Sequence, residues 1–185
     1  MAGTASALGD HRHTDVNSYR IVVMGVSGCG KSTVGRGLAE ALQIHFVEGD
    51  ELHSPRSVEL MAADTPLTDA DRHGWLQEVA SQLGNATAQA RGVVVSCSAL
   101  KRTYRDLLRA GAPDVRFVFL HGPAELLFDR LRTRTGHYMP ASLLQSQLAT
   151  LEPPGADEAP IRFDITVPPA DIVAEAVRQL RATTA

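Results

Sequence analysis

The stretch from Gly25 to Ser32 constrains the fold of this chain more than any other. It reads Gly-Val-Ser-Gly-Cys-Gly-Lys-Ser and fits the pattern G-x-x-x-x-G-K-[ST], in which a glycine-rich loop turns its backbone N–H groups toward phosphate oxygens. An apolar run before the loop predicts a buried strand, and apolar residues after it recur at helical spacing. Strand, glycine loop and helix in this order predict a P-loop whose helix directs its positive end at an anion. A glycine-rich turn that binds nothing is the alternative.

The loop predicts a nucleotide site that uses ATP and Mg²⁺. We expect Lys31 to reach the β- and γ-phosphates as a compact positive charge, and the Ser32 hydroxyl to ligate Mg²⁺. The backbone supplies the remaining donors. The predicted nucleotide-binding residues are Gly25, Val26, Ser27, Gly28, Cys29, Gly30, Lys31, Ser32 and Thr33.

Composition restricts the class of protein. The chain has 185 residues, of which 44% are hydrophobic and 21% charged, as is typical of one soluble globular domain. We place that domain at 18–185, after a flexible lead-in at 1–17 that lacks the features of a signal peptide. A net charge of −3 argues against general binding to nucleic acid or to a membrane surface, and no apolar run approaches the roughly 18 residues that span a bilayer.

Cysteine content favours a cytoplasmic protein. The chain has two cysteines, which do not suggest a disulfide framework. Cys29 lies in the P-loop and Cys97 follows a predicted strand. A bridge between them is an alternative for an oxidised sample.

The remaining pattern predicts an α/β fold with a doubly wound, five-stranded parallel sheet flanked by helices. The strands are mostly apolar runs, as in sheets covered on both faces, and they alternate with helical segments. Their predicted positions are 20–24, 45–48, 93–97, 115–120 and 162–167, and a last helix is predicted at 170–180. In such sheets ligands bind at the carboxyl ends of the strands.

Two segments are longer than a minimal alternation of strands and helices requires, and we treat them as insertions. The first, at about 50–75, is rich in charge and precedes a helix predicted to start near Trp75. The second, at about 130–140, is rich in arginine. This order is typical of small P-loop kinases, in which the first insertion holds the phosphate acceptor and the second closes as a lid that excludes water.

Asp50 is the best candidate on the acceptor side. It follows the second predicted strand, where a carboxylate can hydrogen-bond an acceptor hydroxyl and take its proton. Its alternative role is to cap the next helix. His53, Arg56 and Arg72 could bind a carboxylate or polyol, and a solvated surface role is as well supported for each. Asp69 is interpreted as part of an acidic first helical turn.

Basic residues elsewhere suggest further contacts with anions. Lys101 and Arg105 start a helix, where a positive charge opposes the helix dipole unless an anion is near. Arg130 and Arg134 in the predicted lid are the leading phosphate contacts, because the planar guanidinium suits phosphate oxygens. The alternative for them is a solvated helix end.

Three more positions complete the predicted site. For His137 two roles stay open, packing within the lid and contact with the substrate. Pro168 lies in a turn that is expected to contact the adenine ring. The third predicted strand ends without the aspartate that often holds Mg²⁺ through water, so the metal would depend on Ser32, waters and Asp50. Trp75 is predicted to belong to the core, with a stacking platform as the alternative.

Together these motifs resemble the gluconokinases of the small P-loop kinase type. The resemblance runs from about Tyr19 to the C-terminus. Its most restrictive parts are Gly49-Asp50-x-Leu52-His53, Pro66-Leu67-x-Asp69-x-Asp71-Arg72 and Cys97-Ser98-Ala99-Leu100-Lys101, supported by Gly136-His137-Tyr138-Met139 and Thr150-Leu151-Glu152-x-Pro154.

The resemblance implies transfer of the γ-phosphate of ATP to the 6-hydroxyl of D-gluconate, with Asp50 as the acceptor ligand and base. It also implies a fold similar to shikimate and nucleoside monophosphate kinases, and a homodimer. The sequence departs from the family pattern at four positions of the acceptor insertion, namely Ser57, Leu60, Asp64 and Gly74. A related sugar acid, a shikimate-like acceptor, or a nucleotide-sensing protein without catalysis are the alternatives.

Overall fold

One parallel sheet organises the chain. A computed structural model describes residues 18–133 and 141–183, and within them five strands pair in the order β2-β3-β1-β4-β5. The predicted doubly wound sheet is therefore confirmed, with strand boundaries that differ from the prediction by a few residues at most. The strands are β1 (Arg20–Met24), β2 (His45–Glu48), β3 (Val93–Ser96), β4 (Arg116–His121) and β5 (Ile161–Asp164).

The central strand β1 is buried on both faces. Its residues from Ile21 to Met24 are 0% exposed, and Val22 is in register with Val95 on one side and Phe117 on the other. Continuous apolar runs are needed here because helices cover both faces of the sheet. The edge strand β5 instead alternates buried and exposed residues.

Seven α-helices accompany the strands in the described ranges. They are α1 (Lys31–Leu42), α2 (Pro55–Ala62), α3 (Asp69–Ala88), α4 (Arg102–Gly111), α5 (Ala124–Thr133), α6 (Ala141–Thr150) and α7 (Pro169–Ala182), with short 3-10 helices at Gly49–Leu52 and Ala156–Glu158. None of these helices has both the length and the hydropathy needed to cross a membrane.

The start of α3 corrects the sequence prediction. The helix begins at Asp69 rather than near Trp75, because Thr68 and Asp71 form a capping box. The Thr68 hydroxyl accepts a hydrogen bond from the Asp71 N–H at 3.2 Å, and the Asp71 carboxylate accepts one from the Thr68 N–H at 3.0 Å. Asp69 does lie in an acidic first turn, as predicted. The acceptor insertion is thus mostly helical.

The carboxyl ends of three neighbouring strands meet at one edge of the sheet. β2 pairs with β3 and β3 with β1, all in parallel. The P-loop follows β1, the segment with Asp50 follows β2, and the segment with Ser98 follows β3. This edge is where the topology places a ligand.

Candidate active site

The P-loop connects β1 to α1 through a turn that requires glycine. Gly25 has φ 143°, and a Cβ there would lie 2.5 Å from the Leu120 carbonyl oxygen. No other residue fits this position without moving β4. Gly30, at φ 94°, immediately precedes the first residue of α1. The loop therefore reaches the helix N-terminus with its backbone close to the sheet, as a phosphate cradle requires.

Lys31 and Ser32 are the first two residues of α1, directly after the glycine-rich loop. The Lys31 ammonium donates to the Val26 carbonyl oxygen at 3.2 Å, so the lysine arches over its own loop. Both side chains are half-buried in the first helical turn. A lysine, a hydroxyl and a helix N-terminus suit the chemistry of a triphosphate with Mg²⁺, so the residues present fit the group that the sequence implies.

A cavity of about 290 Å³ lies beside the P-loop, at the carboxyl edge of the sheet. It brings residues of the P-loop and of the acceptor insertion to one space. Its polar lining includes Ser27, Lys31, Asp50, His53, Arg72, Ser98, Ser146 and Gln147, and its apolar lining includes Val58, Met61, Leu67, Trp75 and Leu143.

Asp50 is placed by the pairing of β2 with β3. It is exposed to the cavity within the 3-10 helix that follows β2. Gly49 before it packs so tightly on β3 that a Cβ would overlap the Ser96 carbonyl oxygen, and its N–H donates to the Ser96 hydroxyl at 3.1 Å. The alternative role of Asp50 as a cap of the next helix is not realised, since Ser54 caps α2. Among the described residues none pairs with the Asp50 carboxylate, which is therefore available to a substrate.

His53 is supported by Trp75. Their rings stack with centroids 4.2 Å apart, and the indole N–H donates to the Gly49 carbonyl oxygen at 2.7 Å. Trp75 is 4% exposed, which confirms its place in the core, and it is also the platform for His53. Burial lowers the pKa of His53, although the charge of Asp50 acts in the opposite direction. The imidazole is therefore neutral at pH 7, and its buried Nδ1 has no hydrogen-bond partner among the described residues.

Arg72 brings a buried positive charge to the same cavity. Its side chain is 8% exposed, and its Nε donates to the Leu67 carbonyl oxygen at 3.2 Å. Within the described ranges no carboxylate forms a salt bridge with it. Because a buried charge is costly without a partner, Arg72 is well suited to an anionic ligand in the cavity.

Two predicted substrate residues lie outside the cavity lining. Arg56 is exposed on α2. Lys101 forms a salt bridge with Asp69 at 2.8 Å, and the Tyr104 hydroxyl donates to the same carboxylate. This pair of contacts joins the start of α3 to α4, so the structure gives Lys101 a bracing role.

Arg105 is also placed away from the cavity, which corrects the expectation that it contacts an anion of the substrate. Its side chain is 1% exposed and forms a bidentate salt bridge with Glu158, in which Nε donates to Oε2 at 2.7 Å and Nη2 donates to Oε1 at 2.8 Å. Arg109 donates to the same carboxylate at 2.8 Å. The positive charge of Arg105 near the start of α4 is thus neutralised by Glu158, which lies 53 positions later in the sequence.

We expect Glu158→Gln to destabilise the fold by about 3–5 kcal/mol, because it leaves the buried guanidinium of Arg105 without its counter-ion. Hydrogen bonds from Arg105, and then from Arg109, lower the pKa of Glu158 from 4.5 to about 2 against the opposing effect of burial. Its contribution is therefore complete above about pH 4.5 and is lost as the pH falls toward 2. Urea unfolding of wild type and Glu158→Gln at pH 7 and pH 3 measures both effects. If the two proteins differ little in free energy of unfolding at pH 7, or if their difference is as large at pH 3 as at pH 7, this assignment is contradicted.

The predicted lid is described only at its beginning. Arg130, in the last turn of α5, donates to the Ile165 carbonyl oxygen at 2.7 Å. Arg134 and His137 lie outside the described residues, and their roles stay predictions. Pro168 is exposed just before α7, next to the exposed Val167.

Both cysteines are free and buried, so the disulfide alternative is not realised. Burial raises the pKa of the Cys29 thiol, opposed by the charges of Lys31 and Arg130, and raises that of Cys97 to about 12. The thiols are therefore protonated and serve as packing groups.

The departures from the family pattern do not line the cavity. Ser57 is buried and its N–H donates to Ser54 at the start of α2. A Cβ added at Gly74 would meet no atom within 4 Å. Leu60 is half-buried, and Asp64 accepts a hydrogen bond from Ser142. None of these four residues is among those that line the cavity.

Sequence reasoning missed Gln147. Its Oε1 accepts a hydrogen bond from the Ser27 N–H of the P-loop at 2.8 Å. No motif marks this residue, since a glutamine in a helix is ordinary in sequence, and only the tertiary structure brings it to the loop.

Comparisons with known proteins agree with this geometry. A family model described as an AAA domain matches residues 21–154. A gluconokinase of Gluconobacter oxydans is 49% identical over 88% of this chain and 91% of its own length. The crystal structure of a gluconokinase from Sinorhizobium meliloti superposes with a TM-score of 0.82 at 49% identity, covering 90% of this chain and 93% of that one. A structure of shikimate kinase from Acinetobacter baumannii in complex with shikimate shares the fold alone, with a TM-score of 0.59 at 18% identity over 89% and 94% of the two chains.

Proposed function

This chain belongs to the gluconokinase family of ATP-dependent kinases, and from that premise we propose that it transfers the γ-phosphate of ATP to the 6-hydroxyl of D-gluconate. The observation that carries the proposal is the single cavity shared by Lys31, Asp50 and Arg72. It combines a phosphate-binding loop, a carboxylate and a buried cation, which are the groups that a kinase for a sugar acid needs.

The P-loop side binds the donor. Backbone N–H groups of the loop and the Lys31 ammonium hold the phosphate chain and offset the charge that develops on it during transfer. A magnesium ion on the Ser32 hydroxyl would neutralise further phosphate charge. Arg130, whose positive charge acts on the Cys29 thiol of the P-loop, and Arg134 are proposed to add charge on the lid side.

The acceptor side aligns the sugar acid. We assign the carboxylate of the acid to Arg72 and one of its hydroxyls to the imidazole of His53, since both residues line the cavity. Asp50 hydrogen-bonds the attacking hydroxyl. As the new P–O bond forms and the bond between the β- and γ-phosphates breaks, the hydroxyl proton passes to Asp50 and ADP leaves.

The proposal extends to the setting of the enzyme. We propose that it works with Mg²⁺, as a homodimer, in the cytoplasm, and without nucleic acid or membrane as a partner. The two free, buried thiols support a reducing compartment, and the net charge of −3 supports the absence of a polyanionic partner.

A substrate panel tests the function. ADP release from Mg-ATP is measured with D-gluconate, other sugar acids, shikimate, AMP and no acceptor. We expect fast turnover with D-gluconate and slow hydrolysis without an acceptor. Turnover with a different acid would show that the protein is a kinase with another acceptor than D-gluconate. ATP binding without turnover on any acceptor would contradict the proposal and favour a nucleotide-sensing protein. The four departure positions lie off the cavity lining, which supports D-gluconate.

A further inference from the structure

Helix α6 carries a side chain that contacts the P-loop directly. The Oε1 of Gln147 accepts a hydrogen bond from the Ser27 N–H at 2.8 Å, across 120 positions of the sequence. Ser27 belongs to the loop that holds the donor phosphates. The contact therefore joins the P-loop to a helix that lies outside the acceptor insertion and outside the predicted lid.

The position of Gln147 is fixed by the anchoring of its helix. Leu144 is 0% exposed and Leu143 is 6% exposed, so α6 is packed into the protein. At the beginning of the helix the Ser142 hydroxyl donates to the Asp64 carboxylate at 2.6 Å, which ties α6 to the acceptor insertion. Helix α6 thus connects the two halves of the site, with Gln147 at the P-loop end.

The chemistry of a carboxamide decides what the rest of this side chain can do. Its oxygen is engaged by an N–H group, so the amide orientation is determined by the hydrogen bond and its NH₂ group points away from Ser27. Gln147 lines the cavity together with Lys31 and Asp50. No group of the described residues accepts a hydrogen bond from that NH₂ group. Two donors are therefore available to a ligand in the cavity.

We propose that Gln147 orients the acceptor: Ser27 holds its carboxamide oxygen, and its NH₂ group donates to an oxygen of the bound sugar acid next to the phosphoryl group that is transferred. This inference rests on the proposed function and adds a residue to it. It also explains why a neutral group stands there. A lysine would compete with Lys31 for the phosphates, and a carboxylate would repel both substrates.

The test compares two glutamines of the same helix. Gln147→Met removes both hydrogen bonds with little change of volume, and Gln145→Met makes the same change at an exposed position outside the cavity lining. We expect Gln147→Met to raise the KM for D-gluconate about tenfold, the loss of one good hydrogen bond, with the KM for ATP within about twofold of wild type. Gln145→Met should match wild type in both.

Deoxy derivatives of gluconate identify the oxygen concerned. With the derivative that lacks it, the KM difference between wild type and Gln147→Met should disappear, as in a double-mutant cycle. Should Gln147→Met fail to fold, Gln147→Glu keeps the shape and the acceptor for Ser27 and should raise the KM for D-gluconate still further.

The outcomes separate the inference from the function. A KM for D-gluconate within twofold of wild type, or an increase confined to the KM for ATP, would overturn the role of Gln147 while the wild type still turns over gluconate. Wild-type protein that releases no ADP with D-gluconate would reject the proposed function itself, and the inference with it.

Discussion

Replacement of Lys31 by methionine is expected to abolish phosphoryl transfer, with a loss in kcat of at least about 10²–10³-fold. Lys31 is the first residue of α1 and the charged side chain of the P-loop in this cavity. Phosphoryl transfer offers the protein little covalent chemistry, so positioning and charge account for most of the catalysis. Methionine keeps the length of the side chain and removes the charge. Fixed-time assays with saturating Mg-ATP and D-gluconate measure the loss.

A control on the same helix separates charge from folding. Arg36 is exposed on α1, on the solvent side of the helix, and Arg36→Met removes a charge without reaching the cavity. It should retain kcat close to wild type, and both variants should unfold at a similar temperature. If Lys31→Met has activity near the wild-type value, the assignment of the P-loop as the site of phosphoryl transfer is contradicted.

The second large effect is expected for Asp50→Asn, which should reduce kcat by about 10²–10⁴-fold if the carboxylate takes the proton of the acceptor hydroxyl. Asparagine preserves shape and hydrogen bonding but is not a base. The position is set by Gly49 and Ser96, which the substitution leaves intact. Steady-state kinetics with D-gluconate as the varied substrate separate kcat from KM.

Glu51 provides the matched control for Asp50. It is the next residue of the same 3-10 helix, is exposed, and does not line the cavity. Glu51→Gln should leave both kinetic constants near wild type. If Asp50→Asn raises only the KM for D-gluconate, Asp50 is a binding residue and the proton must leave by another route.

The sequence predicted best where local pattern and tertiary environment agree. The P-loop is predicted from its motif together with the strand and helix that flank it. The five strands are predicted from apolar runs, which a sheet covered by helices on both faces requires. Two predictions concern the start of α3: the position near Trp75 is too late, because the capping box of Thr68 and Asp71 lies in a stretch without apolar periodicity, whereas the acidic first turn at Asp69 is correct. The Thr-x-x-Asp pattern supports the second prediction and is the signal that decides between the two.

The errors in the site come from partners that are distant in sequence. Arg105 looked like an anion-binding residue because its partner Glu158 lies in a short segment after α6. Gln147 was missed for the opposite reason, since a residue without a motif acquires its role only when α6 packs beside the P-loop. Both cases depend on contacts between elements, which periodicity and spacing do not contain.

The stacking of His53 on Trp75 has a practical consequence. Trp75 is the single tryptophan of the chain, so the intrinsic fluorescence of the protein arises almost entirely from the wall of the acceptor cavity. A sugar acid that binds beside His53 changes the polarity around this indole and hence its emission. Acceptor binding can therefore be titrated with unlabelled protein in the absence of nucleotide, and the nucleotide can then be added to ask whether donor and acceptor bind in a fixed order.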